Sequence, residues 1–200
     1  MPYRPTERTE QRKAEVRERI LAAAMDQLAE GGYASASIGA VAARAGVATG
    51  TVYRHFDSKS ALFAEAFRVA ARRELDAFAT GTADDGRTAT ERIGAAVEAW
   101  ARRALAEPKR AYALLAEPVD PAVEAERLTF RRAYADLFAR ALAEVPHPYP
   151  EIAAAAIVGG LAEALVGPLA RRDADADELA AALTDFTLSA VGADRAAELV

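Results

Sequence analysis

The sequence predicts an all-α chain: a three-helix head, about residues 1–60, on a larger helical body, about 61–200, with about nine helices in all. Three observations predict it. Apolar residues make up 52% of the chain and alanine supplies much of that fraction, which favours helix over sheet. Apolar positions recur at three- and four-residue spacing through most of the chain, the period of a helix buried along one face. Glycine, proline and Asp–Ser punctuation falls between those periodic runs.

Taken in order, residues 1–9 read as a polar arm with Pro2 and Pro5, and Arg4, Arg8, Arg12 and Lys13 are candidates for phosphate contact. A first helix runs from about Glu10 to Glu30, with Val16, Ile20, Ala24 and Leu28 as its buried stripe. Gly31-Gly32 ends it, and Tyr33 packs back against the head. Ser37 suits the N-cap of a second helix, on which Ile38, Val41, Ala42 and Ala45 share one face. Gly46 closes that helix, because glycine enters the left-handed C-cap without a steric penalty. Val47 tucks behind the turn, and Thr49 is expected to cap a third helix with its hydroxyl. Val52 and Phe56 point inward there. Thr49, Gly50, Thr51, Tyr53, Arg54 and His55 are left outside, a row of hydroxyl, aromatic and basic groups that suits a phosphate-lined groove. Asp57 or Ser58 caps a long fourth helix over about 58–79, buried through Leu62, Phe63, Ala66, Phe67 and Ala70. Lys59 in its first turn opposes the helix dipole, a cost that a bound phosphate offsets.

Residues 80–88, TGTADDGRT, form the clearest linker. Helices follow over about 89–106, 109–116 and 121–144, broken by Pro108, by EPVDP and by PHPYP. Pro121 fits a first helical turn, where its missing N–H is not needed. The last two helices span about 151–169 and 175–191. Small residues crowd the first of these, including Gly159-Gly160, which implies close approach of another backbone. One Trp and two Tyr with polar tips, Trp100, Tyr112 and Tyr134, stand with Phe130 and Phe138 as candidates to line an apolar cavity; plain core packing is the other reading.

Composition narrows the function. Cysteine is absent, which excludes disulfides and thiolate metal sites. The histidines, His55 and His147, lie in unrelated segments, and neither a GxSxG nor a Walker-type loop occurs. The chain therefore reads as no enzyme, with no cofactor and no metal. The acidic run Asp173–Glu178 lacks the glycine and the final glutamate of a calcium loop and reads as the approach to a helix N-terminus. No apolar signal core or 18-residue uncharged window is evident, so a soluble cytoplasmic protein away from membranes is expected. Residues 1–60 carry nine Lys and Arg against seven Asp and Glu, a net of +2, while residues 61–200 carry 16 against 23, a net of −7. A basic head on an acidic body orients the molecule toward a polyanion.

The run AxxAGVxxGTxYxHFxxKxxL, from Ala42 to Leu62, resembles the helix-turn-helix of TetR-type (tetracycline-repressor-like) transcriptional regulators. The likeness covers the first third of the chain. It implies a DNA-binding domain over 1–60, joined by helix 58–79 to an effector-binding and dimerisation domain over 61–200. Ser37, Tyr53, His55 and Lys59 would then set the register on phosphates of double-stranded DNA, with Thr49, Gly50 and Thr51 approaching base edges or the sugar–phosphate backbone. Arg54 belongs to the same outward face. Position 39 is glycine where some relatives place a base-reading side chain; Arg44 is the candidate to compensate. The aromatic set Trp100, Tyr112, Phe130, Tyr134 and Phe138 would lie in the effector-lining helices. The last two helices would pair with a second copy as a four-helix bundle. The implied protein is a ligand-responsive homodimeric repressor that leaves a palindromic operator when a small lipophilic effector binds. A helical adaptor that keeps the fold without regulating DNA is the alternative.

Overall fold

The computed structural model describes residues 7–192; Pro2, Arg4 and Pro5 lie outside that range. Nine helices and no strand occur among the described residues: α1 Glu7–Ser35, α2 Ile38–Ala45, α3 Thr49–His55, α4 Lys59–Gly81, α5 Ala89–Ala106, α6 Pro108–Leu115, α7 Pro121–Leu142, α8 Pro150–Arg171 and α9 Ala176–Ala190.

Two apolar clusters form the interior. One joins α1, α2 and α3 to the start of α4 through Ile20, Leu28, Val41, Val52, Leu62 and Phe63. The other joins the far end of α4 to α5, α7, α8 and α9 through Phe78, Ile93, Phe138, Leu142, Ile157 and Leu165. Helix α4 belongs to both, with Phe63 and Phe67 buried in the first and Phe78 in the second. At about 1.5 Å per residue it is a rigid beam of about 35 Å between head and body.

Local chemistry explains most boundaries. Ser37 and Ser58 are N-caps whose hydroxyls accept from Ala40 N (3.2 Å) and Ala61 N (3.0 Å). Gly46 adopts φ 65°, and the Val47 amide donates back to Ala42 O at 3.0 Å, closing α2. Asp175 caps α9 by accepting from Asp177 N and Glu178 N, so the acidic run does serve a helix start. Thr88 and Glu91 form a reciprocal capping box at α5, satisfying two end donors at once.

Several expectations need correction. Helix α1 begins at Glu7 and not near Glu10, so Arg8 rides on the helix with Arg12 and Lys13 and not on a loose arm. Its helical path breaks at Gly32, with φ 76° and ψ 179°, and not at a simple Gly–Gly end. The α3 N-cap is Ala48, which has no side-chain cap bond; Thr49 is already the first helical residue and its hydroxyl does not cap. The 80–88 linker is not a free tether. The buried Arg92 donates to Thr82 O (3.1 Å) and Arg87 O (2.9 Å) and also pairs with Glu144, binding the loop to α5 and the end of α7. A Cβ placed at Gly160 would lie 3.5 Å from the Phe186 ring, and nothing lies within 4 Å of one placed at Gly159, so no second backbone approaches there within the chain. Helix α8 is long and apolar enough to cross a membrane by length and composition, although Glu163 within it leaves no uncharged 18-residue window, as expected. Only part of it is covered, by packing on α7, α6 and α9.

Candidate functional site

Helix α3 is held by two inward anchors, Val52 at 0% and Phe56 at 5% exposure. Their burial fixes which residues face out: Thr49, Gly50, Tyr53 and Arg54 are exposed and Thr51 and His55 half-buried. Tyr53 has 51% of its surface free. Arg54 donates to Thr51 Oγ1 at 2.8 Å, bracing the row from within. No atom lies within 4 Å of a Cβ placed at Gly50, so this glycine leaves open space at the start of the helix, where a partner's backbone can come close.

A neighbouring helix contributes cations. Arg17 of α1 stacks over the Phe56 ring, 5.0 Å from its centroid, and pairs with Glu65 at 3.3 Å. The His55 imidazole is held below its usual titration range, first by burial and then by the positive charges of Lys13, Arg17 and Arg54. Those three cations make a local positive patch around His55 in a molecule whose overall charge is −5. Arg17 was missed from the sequence. Its position one turn after Lys13 was the available signal, but only the fold shows that Arg17 reaches Phe56 and that both charges act on His55.

Ser37, Arg44 and Lys59 differ in how free they are. The Ser37 hydroxyl accepts from Ala40 N and is exposed, so its own hydrogen points to no protein acceptor. Arg44 is tied back to α1, 2.6 Å from Glu30 and 3.7 Å from Asp26. Lys59 donates to Tyr33 O at 3.0 Å and lies 4.4 Å above the Tyr33 ring. An ammonium has three donors, so one bond to Tyr33 leaves two for an outside anion.

The same Tyr33 segment is gripped by the body. Glu117, between α6 and α7, accepts from Tyr33 N (2.7 Å) and Ala34 N (3.2 Å), and Asp120 accepts from Tyr33 Oη. Lys109 of α6 donates to Glu30 O at 2.5 Å. Behind this clasp, the buried Arg127 of α7 donates to Ala113 O (3.1 Å), Leu114 O (3.1 Å) and Glu117 O (2.7 Å), capping the carbonyl end of α6.

Arg127 also borders an apolar cavity of about 40 Å³, lined by Phe78, Trp100, Phe130, Tyr134 and Phe138 among others. Thus four of the five aromatic candidates converge; Tyr112 lies outside this lining and packs on the body core. Phe78 and Arg131, also in the lining, were not anticipated. Phe78 lies two turns beyond the α4 residues singled out from spacing, where the helix has passed from one core to the other. A second, more polar cavity of about 180 Å³ adjoins it, sharing Trp100, Leu114, Leu115 and Phe130 and adding Glu74, Arg103 and Arg110. Among the described residues no cluster of His, Asp and Glu fits a metal ion.

Comparisons with known proteins agree with this geometry. Residues 20–66 match the family described as bacterial regulatory proteins, tetR family. A 73-residue stretch is 45% identical to the HTH-type transcriptional repressor KstR of Mycolicibacterium smegmatis, covering 34% of this chain and 36% of that one. A 75-residue stretch is 36% identical to an uncharacterised HTH-type transcriptional regulator of Mycobacterium bovis, covering 38% of each chain. These matches span less than two fifths of the relatives' length. Over the whole fold, the transcriptional regulator FadR of Bacillus subtilis, crystallised with stearoyl-CoA, superposes with a TM-score of 0.73 at 17% identity, covering 86% of this chain and 98% of that one.

Proposed function

We propose that the chain is a member of the tetR family of bacterial regulatory proteins, whose pattern its residues 20–66 match, and that it is a cytoplasmic, ligand-responsive, homodimeric repressor. Residues 1–60 serve as the DNA-binding domain and 61–200 as the effector and dimerisation domain. Helix α3 enters the major groove of a palindromic operator. The observation that carries this reading is the exposed row from Thr49 to His55, braced from behind by Val52 and Phe56. Thr49, Gly50 and Thr51 approach base edges or the sugar–phosphate backbone, and Ser37, Tyr53, Arg54, His55 and Lys59 hold phosphates. Arg44 joins them by exchanging Glu30 for a phosphate.

Exposure on the last two helices supports the dimer. Ile152 is 69% and Phe186 49% exposed, and Ala155, Ala156 and Ala164 continue an uncovered apolar stripe along α8. A second copy of the α8–α9 pair would cover it and present two heads to half-sites about 34–36 Å apart or farther. FadR's stearoyl-CoA complex and the aromatic cavity support a small lipophilic effector. Ligand and operator then weaken each other by one factor, passed along Arg127, the α6 end and the Glu117–Tyr33 clasp.

The test begins by selecting bound duplexes from a random pool and measuring affinity by fluorescence anisotropy. Ser37→Asp retains a good N-cap but sets a carboxylate against phosphate, so operator affinity falls at least about tenfold with little change in melting, since like-charge contacts cost more than a kcal/mol. Selection that enriches no sequence, or full binding by the variant, overturns the reading.

A further inference from the structure

Tyr134 lies beside the apolar cavity, which adjoins the polar one. Its ring lines the apolar one, while the Glu74–Arg103 pair, closed at 3.1 Å, lines the polar one. Phe78 and Phe130 pack on the Tyr134 ring with centroids at 5.1 and 5.3 Å. The residue is 7% exposed, and its Oη has no hydrogen-bond partner among the described residues. Buried polar atoms are almost always paired, because leaving one unpaired costs its full desolvation. Burial, followed by the nearby Glu74 carboxylate, also pushes its titration far above the usual phenol range, so the group is a neutral O–H donor.

Apart from Arg131 at the rim, the surrounding charges are already matched. Arg103 is held by Glu74, and Arg127 spends its donors on Ala113 O, Leu114 O, Glu117 O and Glu124. Arg131 borders the apolar cavity from an exposed position. An ionised group deep in this space would meet no free countercharge, whereas a neutral acceptor would satisfy the phenol.

We propose that this cavity takes a neutral, mostly apolar molecule carrying one hydrogen-bond-accepting oxygen, such as a ketone, ester or ether, and that Tyr134 Oη donates to that oxygen. This rests on the effector reading above and narrows it to a ligand class.

The test uses the full-length protein, Tyr134→Phe, and prodan, a neutral naphthyl ketone whose emission reddens when its carbonyl accepts a hydrogen bond. Butyrophenone and butylbenzene, which differ only by a carbonyl in place of a methylene, serve as competitors, with phenylbutyrate as the anionic control. Prodan bound to the wild type emits to the red of prodan bound to the variant. Tyr134→Phe weakens butyrophenone about tenfold, the scale of one buried hydrogen bond, and leaves butylbenzene unchanged. The empty variant melts higher than the empty wild type, because an orphaned hydroxyl is gone, an opposition of signs that a merely structural tyrosine would not produce. Equal loss for both competitors, or phenylbutyrate outcompeting butyrophenone in both proteins, overturns the inference; the latter result moves the polar anchor to Arg131. Tyr134-dependent ketone binding that leaves operator affinity untouched would instead sink the effector reading and keep the ligand class. No binding of any probe to the wild type overturns both.

Discussion

His55 sits among charges that resist its protonation: burial first, then Lys13, Arg17 and Arg54. In the free protein the neutral imidazole is favoured, so its contribution to stability is present above the ordinary pKa of about 6.5 and is lost as pH falls through that value toward the depressed one. A phosphate at the patch supplies the missing anion and raises the pKa again. Operator binding should therefore take up a proton, with affinity rising as pH falls from about 7.5 to 6, by less than tenfold per unit for one proton. Anisotropy titrations across that range check it, and His55→Gln should flatten the rise. Gly32 is the other residue whose identity matters by itself. A Cβ there would fall 2.6 Å from Glu117 Oε1, on a backbone at φ +76°. Gly32→Ala should cost about 1–3 kcal/mol, the usual cost of forcing an ordinary residue into such a conformation, and a calorimetric melting curve would show it. An unchanged melting point would mean that the Glu117 clasp yields without loss.

At the scale of elements, α5 and the loop before it act as one unit because of Arg92. It is 4% exposed and donates to two loop carbonyls and to Glu144. Arg92→Met keeps the buried stem but strands those acceptors, and stability should drop by about 2–4 kcal/mol. Denaturant unfolding measures the loss, and hydrogen exchange should place it first in residues 82–88. A uniform effect across all helices would argue against a local clamp. Helix α4 has a different duty. It is buried in both clusters and so ties Phe78, beside the cavity, to the head that carries Lys59 at its other end.

For the whole molecule, the proposed dimer rests on the exposed apolar stripe of α8 and the free edge of Phe186. Ile152→Asp combined with Phe186→Asp should give a monomer by sedimentation, with each head still folded. Its operator affinity should fall by at least about a hundredfold, since binding through two linked heads gains that much over one. A variant that remains a dimer would place the interface elsewhere. The wild-type chain sedimenting as a monomer would remove the two-headed reading altogether.

The turn unit was legible because everything that builds it is near in sequence. Gly46, the Ser37 and Ser58 caps and the Val52–Phe56 anchors act within three to five residues of their partners, so spacing alone reveals them. Where the motif groups spend their charge was not legible. Arg44 turns to Glu30, 14 positions away, and Lys59 to Tyr33, 26 away. Thr49 was misread as a cap because Ala48, with no side-chain acceptor, holds that place by backbone geometry alone. In the body, aromatic content foretold a cavity but not its membership; Tyr112 falls outside the lining and Phe78 inside it. Sequence by itself thus determined the helices, their ends and the outward row of α3, since helical periodicity and capping are short-range. Tertiary structure alone decided the Glu117 clasp, 84 residues from Tyr33, and the unpaired hydroxyl of Tyr134. Both depend on which distant faces pack together, and no local spacing encodes that.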